Sequence, residues 1–265
     1  TQAYLHEYLL SLNMRDIAFE DITEEFGWGY KLYLKGKGCG AGHINHCLTW
    51  LNRLIYVAVD REIIRCNPLA DVPYEKKPDY KLKHISRAEL QWIMEHPMSD
   101  RLQELTRRAF IFSAFTGLSY VDMMRLRPSN IGVTADSRYY IRINRKKTDV
   151  ESFVPLHPVA EQILALYNTT DESRPIFPLP NRNMIWYCIH EIGIMAGVKE
   201  NLSYHDSRHT FGTLMLSAGI PIESISKMMG HTSIRTTQIY ARVTDDKISE
   251  DMDRLMERRN SMVQV

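Results

Sequence analysis

The stretch "YHDSRHTFGTLML", residues 204–216, sets His205 and Arg208 one helical turn apart on a shared face. About twenty residues on, "GHTSIRTTQIYARV" (230–243) carries His231 and, nine residues later, Tyr240. Upstream, "NRKKTD" (144–149) offers Lys146 and Lys147. A phenol becomes a nucleophile once it gives up a proton that ordinarily leaves near pH ~10. A guanidinium presents a planar fork of donors that suits phosphate oxygens. Imidazoles and an ammonium can move the protons that such an attack displaces. The set reads as a nucleophile in cationic, proton-handling company.

Each member alone has a plainer reading. His205 could cap a helix, Arg208 could make a salt bridge, Lys147 could be a solvated turn lysine, and Tyr240 could be a core aromatic. His205 and His209 also stand at i, i+4, as zinc ligands do. Zinc hydrolases need a glutamate after the first histidine; here Asp206 sits there, with no evident third ligand. No metal is expected. The ordered conjunction of all these residues is what carries weight.

The elements that would position them are mostly helical. "ITEEFGWGYKLYLKGKG" places Ile22, Phe26, Tyr30 and Tyr33 at helical spacing and stops at Gly36 and Gly38. "HINHCLTWLNRLIYVAVDREII" is a longer amphipathic helix with Ile44, Cys47, Leu51, Leu54 and Ile55 on one side. The extended, basic "PYEKKPDYKLKH" (73–84) reads as a linker between two domains. After it, Ser86 with Glu89 forms a capping box. Residues 102–131 read as two helices broken at Thr116-Gly117. "RYYIRINRKKTDVESFVPL" alternates as a β-hairpin or small sheet with "NRKKTD" at its tip. From Pro158 the pattern is helical again, and Ser233 is expected to cap a last helix with Tyr240 two turns in. The tail 246–258 is a charged amphipathic helix with Ile248, Met252, Leu255 and Met256 on one stripe.

Bulk composition sets limits. No apolar run approaches the roughly 20 residues of a membrane span, so no membrane partner is expected. The four cysteines form no C-x-x-C pair, which fits reduced, intracellular thiols. Net charge is +1, but residues 81–150 carry 13 Lys/Arg against 7 Asp/Glu. Such a band can mark a polyanion-binding face or an ordinary solvated surface. The chain opens without Met or a signal peptide, as a fragment would.

The segments "FTGLSYVDMMRLRPSNI", "RKKT…FVPL", "YHDSRHTFGTLML" and "GHTSIRTTQIYARV", in this order, resemble the catalytic boxes of the tyrosine recombinase (phage-type integrase) family. The resemblance covers nearly the whole chain and extends to integrases of conjugative and mobilisable elements of gut anaerobes. It implies a mainly α fold: an all-helical core-DNA-binding domain (1–72), the basic linker (73–84), a mixed, mostly helical catalytic domain with a small antiparallel sheet (85–243), and a tail (244–265) that docks on a neighbouring protomer or packs on its own domain. It implies DNA strand cleavage and rejoining through a 3′-phosphotyrosine, with neither metal nor ATP. Tyr240 would be the nucleophile, Arg208 a phosphate clamp, His205 an acceptor of the nucleophile's proton, His231 a donor to a phosphate oxygen, and Lys147 the acid for the leaving 5′-oxygen. A type IB topoisomerase shares this chemistry, but the small helical first domain favours an integrase.

One position departs from the family pattern. The arginine usual after "TGL" is Ser119 here, which leaves room for a DNA-binding protein without catalysis. Arg107, twelve residues earlier, is the expected replacement, and Asp122 is expected to orient side chains. Lys35, Lys37, Arg53, Lys81, Lys83, Arg108, Ser119 and Lys146 are the candidate DNA contacts. The resemblance further implies double-stranded attachment sites, a homotetramer on DNA, accessory DNA-bending factors, a cytoplasmic, nucleoid-associated location in a bacterium, and a preceding arm-binding domain that was removed.

Overall fold

The computed structural model describes residues 1–78, 83–167, 169–198 and 201–241, together with Met252 and Met256. The chain forms two compact units, Thr1–Lys81 and Leu82–Val265.

The first unit is helical. It contains α1 (Gln2–Ser11), α2 (Glu24–Gly36) and α3 (Ala41–Asp60). α2 starts where the Thr23 side chain accepts a hydrogen bond from the Phe26 amide, an N-cap. Apolar residues at helical spacing on α2 and α3 close a core of Tyr30, Leu34, Ile44, Cys47, Leu48, Leu51 and Ile55. Leu54, expected on that stripe, lies at its edge and is 37% exposed. The first residues of the proposed linker are tied to this unit. The Lys31 ammonium donates to the Pro73 carbonyl at 2.5 Å, and Asn45 exchanges two hydrogen bonds with the Glu75 backbone, at 2.8 and 2.9 Å.

The second unit is built around α5 (Arg101–Thr116), preceded by α4 (Arg87–Glu95). Phe110, Phe112, Ala109 and Ala114 make α5 apolar on nearly every side, so it is buried beneath α7 (Pro158–Leu164), α8 (Arg182–Met195) and α9 (Tyr204–Ser217). Ser86 and Glu89 form the capping box that starts α4. α5 ends at Gly117, whose φ of 69° is the left-handed C-cap conformation. A short α6 (Tyr120–Met123) follows.

The β region has three antiparallel strands in the order β1 (Ile131–Val133), β2 (Tyr139–Asn144), β3 (Glu151–Pro155), with Ile141 opposite both Ile131 and Val154. Ile141 and Ile143 face inward while Arg142 and Asn144 face out, the two-residue period of a half-buried strand. The sheet grips α10 (Ile222–Met229) near its C-terminal end: Ser152 donates to the Met228 carbonyl, and Thr148 to the Gly230 carbonyl at 3.2 Å.

The last element differs from expectation. Instead of one α-helix, Ile234–Thr236 and Gln238–Tyr240 are separate 3-10 turns. The run of β-branched Ile234, Thr236, Thr237 and Ile239 disfavours a continuous α-helix. Of the tail helix expected over 246–258, Met252 and Met256 are helical and half-exposed; its other residues lie outside the described residues.

Candidate active site

The first turns of α9, the C-terminal ends of α5 and α10, and the turn after β2 converge on one site. Arg208 is 4% exposed. It donates to the Gly117 carbonyl at the end of α5 and, at 2.6 Å, to the Met229 carbonyl at the end of α10. Helix C-termini present such orphan carbonyls and a partial negative charge, so they seat a cation. Gly117 also needs to be glycine for space: a Cβ there would lie 2.6 Å from the Phe211 ring.

A second guanidinium shares this seat. Arg145 is 7% exposed, donates to the same Gly117 carbonyl at 3.5 Å, and pairs with Asp122 at 3.0 Å. Its stem passes Gly230, where a Cβ would meet Arg145 Cγ at 2.4 Å. Asp122, 1% exposed, also accepts from the Ser119 hydroxyl and from the Lys146 amide, the latter at 2.9 Å. Burial, and next the charge of Arg145, push Arg208 down to about 9. Arg145 is also lowered, mainly by burial, although Asp122 opposes the shift. Among the described residues, two buried cations face a single buried carboxylate, so the arginine pair is short of negative charge.

The imidazoles surround this centre. His231 is half-buried, with Nδ1 2.8 Å from the Thr237 hydroxyl. With the hydroxyl as donor, the ring proton sits on Nε2 and is available to an oxygen in the pocket. Burial, then Arg208 and Arg145, hold His231 at about 4. His205 is exposed, and its ring meets that of His209 edge to face at 4.5 Å. Desolvation, then Arg208, lower it too. Tyr240 is 7% exposed, and its hydroxyl lies 3.1 Å from His209 Nδ1. Among the described residues, no group of three or more His, Cys, Asp or Glu could hold a metal ion.

Arg107 does not join this pocket. It is buried on α5 and bonds Glu104 at 2.7 and 2.8 Å and the Ile93 and Met94 carbonyls at 2.8 and 3.1 Å. Glu104, one turn earlier, and the carbonyl end of α4 capture its fork. Arg145, rather than Arg107, stands beside Arg208, and the sequence carried a signal for it. Extending the strand alternation one residue past β2 puts Arg145 inward, beside Ile141 and Ile143, and Lys146 outward. His209 was also missed as a partner of Tyr240.

The remaining candidates are scattered. Lys147 is exposed on the turn after β2, near enough to lower His205 electrostatically. Lys146 is exposed beside it. Ser119 stands at the N-cap position of α6, and its hydroxyl donates to Asp122 rather than accepting from the helix amides. Arg108 pairs with Glu104 at 2.6 Å. In the first unit Lys35 pairs with Glu75 at 2.9 Å, Lys37 pairs with Glu7 at 3.1 Å, and Arg53 is exposed. Lys83 is exposed, and Lys81 lies outside the described residues.

Comparison with known proteins agrees with this architecture. Residues 83–247 match the phage integrase family, and residues 1–78 match the phage integrase SAM-like domain. The tyrosine recombinase XerA of Pyrococcus furiosus is 28% identical over 68% of this chain, and XerD of Staphylococcus aureus is 26% identical over 73%. The chain spans 64% and 66% of the length of those two relatives. In fold it is similar to the Tn1549 transposon integrase in complex with a circular intermediate DNA, at TM-score 0.68, 18% identity, 94% of this chain and 92% of that one. It is similar also to a lambda integrase dimer bound to a core site, at TM-score 0.69, 16% identity and 92% of both chains. With two family models laid end to end along it, the chain belongs to the phage integrase family.

Proposed function

We propose that the chain is a site-specific DNA recombinase that cleaves and rejoins duplex DNA through a 3′-phosphotyrosine, integrating or excising a mobile element. The observation that carries the reading is the carboxylate-poor pair Arg208–Arg145 with Tyr240 close enough to bear on Arg208 electrostatically. A scissile phosphodiester supplies the missing negative charge. Its non-bridging oxygens would take the remaining donors of both guanidiniums and the Nε2 proton of His231. Tyr240 Oη attacks phosphorus and the P–O5′ bond breaks. The phenol proton leaves as the bond forms, with His205 its proposed acceptor. Lys147 gives a proton to the departing 5′-oxygen. The free 5′-hydroxyl of the partner strand then reverses the sequence, so the ester energy is conserved and ATP is not needed. Arg145 would do the work expected of the arginine absent at Ser119.

Around this chemistry we place the first unit and the basic residues Lys83, Arg108 and Lys146 on the DNA, with Lys81, Lys35, Lys37 and Arg53 as further contacts. A tetramer on paired attachment sites, accessory bending factors and a nucleoid location belong to the same reading. The test is covalent capture. A duplex from the element's junction, nicked beside the crossover so that the cleaved end diffuses away, is mixed with the protein in EDTA. A denaturation-resistant adduct is expected, and it must vanish in Tyr240→Phe. Tight DNA binding without any adduct would overturn the catalytic reading in favour of a DNA-binding protein.

A further inference from the structure

The hydroxyl of Tyr240 is engaged by His209, a residue with no part in the proposed proton transfers. His209 is one turn beyond His205 on α9 and is 5% exposed. Its Nδ1 lies 3.1 Å from Tyr240 Oη, with ring centroids 5.7 Å apart. Beneath the phenol ring, α9 carries Gly212. A Cβ there would lie 2.8 Å from three ring carbons of Tyr240. The ring therefore rests flat against bare helix backbone, with its hydroxyl directed to the imidazole one turn back. Two independent features, an acceptor and a missing side chain, fix the same tyrosine.

The charge state of His209 decides what the contact does. Burial, then His205, Arg208 and His84, push it down to about 4. A neutral imidazole that accepts from the phenol through Nδ1 carries its own proton on Nε2. So weak a base suits a hydrogen-bonding contact that orients the phenol better than general-base work.

We infer that His209 is a positioning residue for the nucleophile: together with the side-chain-free surface at Gly212, it holds the Tyr240 hydroxyl beside the arginine pair until a phosphodiester arrives. This rests on Tyr240 being the nucleophile. The attack then needs no reorientation of the ring, and part of its entropy cost is met by the fold.

The experiment measures single-turnover cleavage of the nicked duplex, with DNA affinity measured alongside, in His209→Leu, His209→Asn and Gly212→Ala. Asparagine keeps a hydrogen-bonding atom near the position of Nδ1; leucine does not. His209→Leu and Gly212→Ala are expected to slow cleavage about ten- to a hundredfold at unchanged affinity, and His209→Asn to stay within about threefold of the parent. With 3-fluorotyrosine at position 240, the ¹⁹F resonance of the DNA-free protein should move in the leucine and alanine variants and stay in the asparagine variant. Cleavage by His209→Leu at or above the parent rate would overturn the inference, as would His209→Asn failing as badly as leucine. An adduct that persists in Tyr240→Phe would sink the parent reading instead, whatever the His209 variants do.

Discussion

Two arginine clusters lie buried in the second unit, and they are built in opposite ways. In one, Glu104 binds both Arg107 and Arg108 while two main-chain carbonyls take further Arg107 donors. Burial alone would raise the Glu104 carboxyl, but hydrogen bonds from Arg107, the Met98 amide and Arg108 bring it down to about 2. In the other, Arg208 and Arg145 converge on one carbonyl, and Asp122 divides its oxygens among Arg145, Ser119 and the Lys146 amide. There it is the arginines that are destabilised, Arg208 to about 9. A saturated cluster binds helices together. An undersupplied one retains an appetite for an anion, and that is what a phosphate site requires.

Substitution should separate the two clusters. Glu104→Gln leaves two arginines short of their carboxylate and is expected to cost about 3–5 kcal/mol of stability in denaturant unfolding. Arg107→Ala, which leaves Arg108 on Glu104, should cost less, with cleavage per folded molecule unchanged. Arg145→Ala should do the reverse: cleavage per folded molecule falls by about 10²–10³, an effect on rate separate from the stability lost when Asp122 is left without its ion pair. Ser119→Arg in the Arg145→Ala background should restore part of the rate by returning a guanidinium from the neighbouring turn. If Arg107→Ala lost cleavage and Arg145→Ala kept it, the comparison would be inverted.

An anion offers a gentler probe. Sulfate at about 100 times its dissociation constant stabilises a protein that binds it only when folded by about 2.7 kcal/mol. Thermal melts in sulfate, against chloride at matched ionic strength, should show a rise in the parent and in Arg107→Ala. The rise should be lost in Arg145→Ala. A rise lost in Arg107→Ala instead would move the anion site to the other cluster.

These clusters also mark how far the sequence could be read. The helices around the site were legible because apolar spacing, the Ser86–Glu89 capping box and the break at Gly117 are local signals. His205 with Arg208, one helical turn apart, and His231 with Tyr240, nine residues apart, were each legible as a short motif, whereas the meeting of the two motifs is a matter of tertiary structure. Arg107 and Arg145 were not sorted correctly, because their partners are set by tertiary structure. Glu104 is one turn from Arg107 and could have warned of capture, whereas Gly117 lies 28 residues from Arg145. The bond from Tyr240 to His209 spans 31 residues and depends on two 3-10 turns where a helix was expected. Strand β1, with only three residues, left too short a pattern to detect.

The smallest expected effect is a difference in pH window. His209 and His231 are held at about 4 when folded, against an ordinary 6.5. Between those values the unfolded chain binds more protons, so unfolding free energy rises with pH. The stability tied to these neutral rings is complete above about pH 6.5 and declines as pH falls toward 4, on the order of 1–3 kcal/mol for buried His209 and less for half-exposed His231. Glu104 behaves as a depressed carboxyl does: its contribution is complete above about 4.5 and is lost only as pH falls through about 2. Acid unfolding should therefore weaken the undersupplied site first and the saturated cluster second. Denaturant titrations from pH 7 to 2 should show both steps. His209→Asn should flatten the upper one and leave the lower, whereas Glu104→Gln should remove the lower. A single step near pH 4 in all three proteins would mean that the two clusters do not differ in the way their charges imply.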